Sequence, residues 1–137
     1  MKIDKLSIKN KSELFEKGDP MHDCSFTASF ENNILTLVFD NLEQYYGPEP
    51  TTQWFGDYKK LTVKYSTKSL HLTLKYGKKE KYFWKTVEEL KKSELIMFKY
   101  SVDTFNEMTL EFHIFTKKKL WLGLISISPS EIEYIWE

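Results

Sequence analysis

Apolar and polar residues alternate along much of the chain, and the clearest alternation lies between Cys24 and Asn41. Every second residue is apolar over 24–30 and again over 35–39. A period of two is typical of strands that bury one face. Asn32-Asn33 separates the two runs, and asparagine tolerates the positive φ of a two-residue hairpin turn. This turn would place three apolar pairs on one face of a hairpin: Phe30 with Leu35, Ala28 with Leu37, and Phe26 with Phe39.

The same alternation predicts further strands later in the chain. They are Leu61–Tyr65, Leu70–Tyr76, a short run at 82–84, Ile96–Val102, Met108–Ile114, Leu120–Ile127 and Ile132–Trp136. A turn at Ser66–Ser69 would pair the first two as a second hairpin, with His71 opposite Lys64. Leu120–Ile127 is apolar on both faces, which favours a central strand.

Short helices are predicted at Lys11–Glu16 and at Val87–Lys92, where Thr86 and Glu89 have capping-box spacing. About eight strands joined by short turns, with no strand–helix–strand repetition, indicate a mainly β fold. We expect antiparallel strands in a sandwich or barrel-like sheet.

Length and composition predict the number of domains and the cellular compartment. The chain has 137 residues, of which 41% are hydrophobic, and this suits one domain over 1–137. No segment approaches the roughly 18 consecutive apolar residues of a membrane helix, so no membrane partner is expected. Residues 1–4 lack the apolar region of a signal peptide. The one cysteine cannot form an internal disulfide, and the expected compartment is the cytoplasm.

Charge changes the expected partners. All 20 basic residues are lysines, and their number equals that of the acids. Residues 58–92 carry 11 lysines and 3 acids, whereas the chain on either side is acidic. Arginine provides the bidentate contacts that read bases and clamp phosphates, so a nucleic-acid partner is not expected. The lysine-bearing strands could form a basic patch beside the aromatics of the long loop, as a surface for single-stranded nucleic acid would. The favoured interpretation is a solubilising outer face.

Reactive residue types cluster at His22-Asp23-Cys24. On an extended chain His22 and Cys24 stand about 7 Å apart, too far for a nucleophile and its base. The other histidines, His71 and His113, are distant in sequence and fall on polar strand faces. We therefore assign no catalytic residue, metal or cofactor. His22 and Asp23 remain a candidate polar site, and hydrogen bonds to the local backbone are their favoured role.

The segment 41–57 combines two glycines and two prolines with four large aromatic residues. A loop of this length without regular structure is uncommon and is often functional. Its aromatics are of the types that anchor protein interfaces. The candidate binding residues are Tyr45, Tyr46, Trp54 and Phe55. The alternative is that they fold down as a lid over one end of the core.

Met21-His22-Asp23-Cys24, followed directly by a hairpin, resembles the opening of certain small bacterial β-rich families. Most are uncharacterised, and some are immunity proteins of toxin–antitoxin gene clusters. The resemblance covers residues 21–40 and the β-rich tail with its last tryptophan. It implies a protein without catalytic activity that binds and blocks a partner.

The sequence thus predicts a non-enzymatic protein-binding module of immunity type, with a protein as its partner. The alternative is a small β-barrel that binds an apolar small molecule, based on the aromatic content and the two-sided apolar strand Leu120–Ile127. A filled core beneath Phe26, Leu37 and Phe112 would argue against the barrel.

Overall fold

The structure is a computed structural model, and it describes residues 1–7, 24–40, 58–76, 79–82, 94–102, 107–116 and 119–137. Within these residues the secondary structure consists of strands, and none of them is helical. The helices predicted at Lys11–Glu16 and Val87–Lys92 lie outside the described residues. In the same part of the chain there is no helix long and apolar enough to cross a membrane.

Ten strands are present in the described residues. They are β1 (Lys2–Ser7), β2 (Ser25–Glu31), β3 (Ile34–Phe39), β4 (Leu61–Ser66), β5 (Leu70–Tyr76), β6 (Lys79–Tyr82), β7 (Glu94–Val102), β8 (Met108–Thr116), β9 (Lys119–Ile127) and β10 (Glu131–Trp136). The mainly β, antiparallel fold that the sequence predicts is confirmed.

The strands form two antiparallel sheets that meet at β2. The first sheet has the order β1-β10-β4-β3-β2, and the second continues as β7-β8-β9-β5-β6. Only two residue pairs join β2 to β7, Ser25 with Ile96 and Phe26 with Leu95. β9 lies between β8 and β5, which confirms the central position predicted for it.

The hairpin of β2 and β3 has the predicted turn and register. Asn32 and Asn33 have φ angles of 53° and 60°, the left-handed conformation that a tight hairpin turn requires at both central residues. Phe30 lies opposite Leu35 and Ala28 opposite Leu37. The rings of Phe26 and Phe39, the third predicted pair, have centroids 5.4 Å apart.

The predicted hairpin of β4 and β5 is wrong. β4 pairs with β3 and β10, whereas β5 pairs with β9 and β6. His71 therefore lies opposite Ser126 and not opposite Lys64. Both strands have the expected buried face, because alternation reports which side of a strand is apolar. It does not report which strand lies alongside.

Thr67 occupies the corner at which the chain leaves the first sheet for the second, and it is only 4% exposed. Its backbone N–H donates to Asn33 O at 2.9 Å. Its hydroxyl donates to Ser69 O at 2.8 Å and accepts from the Ser128 N–H at 3.3 Å. One buried threonine therefore joins three connections: the β2–β3 turn, the β4–β5 corner and the β9–β10 connection.

One core lies between the apolar faces of the two sheets. Phe26 of the first sheet meets Phe112 of the second edge-on, with ring centroids 5.6 Å apart and planes at 89°. Phe112 pairs with Gly123 on β9, and its ring covers that glycine. A side chain at 123 would overlap the ring, so glycine at this position allows the Phe112 ring to extend over the neighbouring strand.

Candidate protein-interaction site

The residues that the sequence singles out lie outside the described part of the chain. This applies to the four aromatics Tyr45, Tyr46, Trp54 and Phe55, and to His22 and Asp23 of the polar site. The structure does describe the residues on both sides of 41–57, and it describes Cys24, which directly follows Asp23. These residues locate where each segment joins the fold.

The segment 41–57 begins and ends at one end of the first sheet. It follows β3 and precedes β4, which are antiparallel neighbours, and Phe39 pairs with Leu61 at this end. β2 is antiparallel to β3, so its first residues lie at the same end. Cys24 directly follows His22 and Asp23 in the sequence. The topology therefore brings the attachment points of both predicted sites to one end of the sheet.

The attachment of 41–57 is held by aromatic and backbone contacts. The ring of Tyr58 packs against Trp136 of β10, with centroids 6.1 Å apart. The backbone N–H groups of Lys59 and Lys60 both donate to Glu137 O, at 2.9 and 3.0 Å. The Glu137 N–H donates back to Lys60 O at 2.9 Å. Trp136 also packs against the core. The residues that follow 41–57 are therefore connected to the core through β10.

Cys24 belongs to the core. Its side chain is 1% exposed and forms no disulfide. This confirms the prediction that Cys24 lies on the buried face with Phe26 and Ala28 and acts there as a small hydrophobic residue. A thiol that solvent does not reach is a poor nucleophile.

The two described histidines lie on the outer side of the second sheet and are separated by β9. His71 is exposed and pairs with Ser126, and His113 is half-buried and pairs with Leu122. Among the described residues there is no group of three or more histidine, cysteine, aspartate and glutamate side chains that would hold a metal ion.

A second aromatic pair, which the sequence reasoning missed, lies on the other sheet. Tyr76 of β5 contacts Trp121 of β9, with ring centroids 5.2 Å apart. Trp121 packs against the core, whereas Tyr76 is 40% exposed. Both residues stand in predicted strands. Their contact depends on the pairing of β5 with β9, for which the sequence offers no signal.

The interior beneath Phe26, Leu37 and Phe112 bears on the ligand-binding alternative. Leu37 and Phe112 are both fully buried. Phe26 contacts the rings of Phe39 and Phe112, which belong to different sheets. Side chains from both sheets thus meet at this level, which favours a filled core over a ligand cavity.

The chain matches no protein-family model, no curated protein and no solved structure.

Proposed function

We propose that the protein is a non-enzymatic protein-binding module of immunity type, which contacts its partner through the segment 41–57 and blocks it. The observation that carries the proposal is the fixed attachment of this segment. The segment follows β3 and precedes β4, which are adjacent strands. The residues directly after it contact the end of β10, through the Tyr58 ring against Trp136 and through backbone hydrogen bonds to Glu137. Binding residues are often carried by loops on a rigid scaffold.

The composition of the segment supports a protein partner. Tyrosine and tryptophan are enriched among the residues that dominate binding energy at protein interfaces. The segment also contains three acids, Glu43, Glu49 and Asp57, and no lysine. Acidic residues around aromatic anchors would attract a partner with a basic surface and would accelerate its association.

The product of the adjacent gene is the partner to test first, because some of the families that residues 21–40 resemble are immunity proteins of toxin–antitoxin gene clusters. We expect it to form a complex with this protein in titration calorimetry, and co-expression to relieve its toxicity. Trp54→Ala with Phe55→Ala should weaken the complex by about 30-fold or more, which corresponds to a hot-spot loss of about 2 kcal/mol.

Two variants serve as controls. Trp54→Phe keeps a large aromatic side chain and should lose less affinity than the alanine variant. Tyr76→Ala removes an exposed aromatic from the other sheet and should leave the complex unchanged. Wild-type affinity in the Trp54 and Phe55 double variant, with an unchanged melting temperature, would overturn the role of the segment. Absence of any complex with the adjacent product would overturn the immunity-type function.

A further inference from the structure

β1 is an outermost strand of the first sheet. Within the described residues it pairs with β10 on one side, and the strand order ends with it on the other. Ile3 is 49% exposed, the side chain of Lys5 is 62% exposed, and Met1 and Lys2 are exposed as well. The backbone N–H and C=O groups on the outer side of such a strand can pair with a strand of another chain.

A row of β-branched residues crosses the outer face of the first sheet and ends at β1. The register places Val38 beside Thr62, Thr62 beside Ile135, and Ile135 beside Ile3. The first three residues are half-buried, whereas Ile3 at the end of the row is exposed. Side chains of this kind are stabilised by apolar neighbours on adjacent strands. A further strand with an apolar residue opposite Ile3 would therefore extend the row.

We propose that two copies of this chain associate through β1, in an antiparallel pairing whose two-fold axis passes between the two Ile3 residues. An axis perpendicular to the sheet keeps the outer faces of both copies on the same side, so odd-numbered residues lie opposite odd-numbered ones. In this register Ile3 lies opposite the same residue of the second copy. The isoleucines at positions 3 and 135 of both copies then form one continuous row.

The charges of β1 favour this register over its neighbours. Axes at Lys2, Asp4 or Lys5 would place two like charges directly opposite each other, which destabilises a strand pair. The axis at Ile3 places Lys2 opposite Asp4 twice, once on each side of the axis. Lysines often prevent pairing at sheet edges. Here Lys5 approaches Glu133 of β10 at 3.5 Å, so an acid within the same chain offsets its charge.

The pairing is separate from the attachment of the segment 41–57. Antiparallel pairing reverses the strand direction between the copies, so the ends of β3 and β4 that carry this segment lie at opposite ends of the joined sheet. Strand spacing places β4 of one copy about 24 Å from β4 of the other. The association therefore does not depend on the function proposed above.

Cysteine cross-linking tests the register directly. The Cα atoms of directly opposed residues stand about 4.5–5.5 Å apart, within reach of a disulfide. We therefore expect Ile3→Cys to form a covalent dimer under mild oxidation. Lys5→Cys is the matched control, because the two residues at position 5 would stand about 14 Å apart and should not cross-link. The native Cys24 is 1% exposed and does not compete.

Sedimentation velocity tests the association itself. Five paired residues form a smaller interface than a standard one, so we expect a dimer that dissociates on dilution from about 500 to about 5 µM. Ile3→Lys should raise the dissociation constant about 5-fold or more, because two ammonium groups would stand opposite each other. Ile34→Lys makes the same change at an exposed isoleucine of the outer face, but on β3, and should leave the constant unchanged.

A charge exchange tests the pairing of Lys2 with Asp4. Lys2→Asp and Asp4→Lys should each raise the dissociation constant about 5-fold, because each change places like charges opposite each other on both sides of the axis. The two changes together restore opposite charges and should return the constant to within about 2-fold of the wild-type value.

Four results would overturn the proposal. One is a monomer at about 500 µM. Another is equal cross-linking of Ile3→Cys and Lys5→Cys. The third is an equal effect of Ile3→Lys and Ile34→Lys, which would indicate association through the sheet face. The fourth is a charge-exchanged double variant that associates as weakly as the single variants. None of these measurements involves 41–57, so this proposal and the proposed function fail independently.

Discussion

Replacing Gly123 by alanine adds one carbon atom at a place that the Phe112 ring already occupies. A Cβ at this position would stand 2.8 Å from Cε1 of Phe112 and closer still to Cζ and Cε2. Phe112 is fully buried, and its ring meets Phe26 edge-on. It therefore cannot swing towards solvent to make room. Overpacking of this kind destabilises a protein by about 1–3 kcal/mol.

A smaller effect of the same substitution has the opposite sign. The φ angle of Gly123 lies outside the left-handed region, so alanine can adopt the backbone conformation. Alanine also restricts the unfolded chain, which by itself would stabilise the protein by about 0.4–1 kcal/mol. The clash is the larger effect, and we expect a net loss of about 1–2 kcal/mol. For a chain of this length that loss lowers the melting temperature by about 3–7 °C.

A double-mutant cycle with Phe112→Leu separates the two effects. Leucine has no ring over Gly123, so in that background Gly123→Ala should be neutral or stabilising by up to about 1 kcal/mol. The free energy of unfolding is measured for all four proteins by urea titration, with unchanged m-values as the control for two-state unfolding. Equal losses from Gly123→Ala in both backgrounds would refute the reasoning, because the coupling energy would then be zero.

Three further predictions concern single residues of the fold. Thr67→Val keeps the shape of the side chain but leaves the Ser69 carbonyl and the Ser128 N–H without their hydroxyl partner, so the free energy of unfolding should fall by about 1–3 kcal/mol. Thr67→Ser keeps the hydroxyl and should lose less stability. Equal losses for the two variants in a thermal melt would contradict this. Asn33→Ala should destabilise by about 1 kcal/mol in urea titration, since its φ of 60° is left-handed, and Asn33→Gly should not. Cys24 should react with a thiol reagent only as fast as the protein unfolds, and rapid labelling of native protein would contradict its burial.

Local features allow prediction of the β2–β3 hairpin from sequence. The two asparagines specify a two-residue turn, and this turn fixes the register of the strands on either side. A shift of one residue would expose the entire apolar face, so alternation and turn agree on a single arrangement. Both kinds of information lie within residues 24–40.

The connection of β4 to β5 shows where local information ends. Ser66–Ser69 has turn-forming residues and joins two alternating segments, which is also the pattern of a hairpin. The chain instead crosses between the two sheets at Thr67, which is buried. Thr67 forms hydrogen bonds there with Asn33 of the β2–β3 turn and with Ser128. These partners are distant in sequence, so no local pattern distinguishes a corner from a hairpin.

The apolar alternation does not predict β1, because the pattern of this strand is weak. Only Ile3 and Leu6 are apolar among its six residues. The strand forms beside β10, where Lys5 approaches Glu133 at 3.5 Å. An exposed ion pair of this kind contributes little stability, so the backbone pairing with β10 is what positions β1.

The candidate sites differ in how much of each the sequence contains. The aromatic and acidic composition of 41–57 is a property of consecutive residues, and the sequence identifies it directly. The aromatic contacts in the described fold are non-local. Tyr58 contacts Trp136, and Tyr76 contacts Trp121, because segments that are distant in sequence lie side by side. In both pairs the tryptophan also packs against the core, so each tyrosine is positioned by a residue that is distant in sequence.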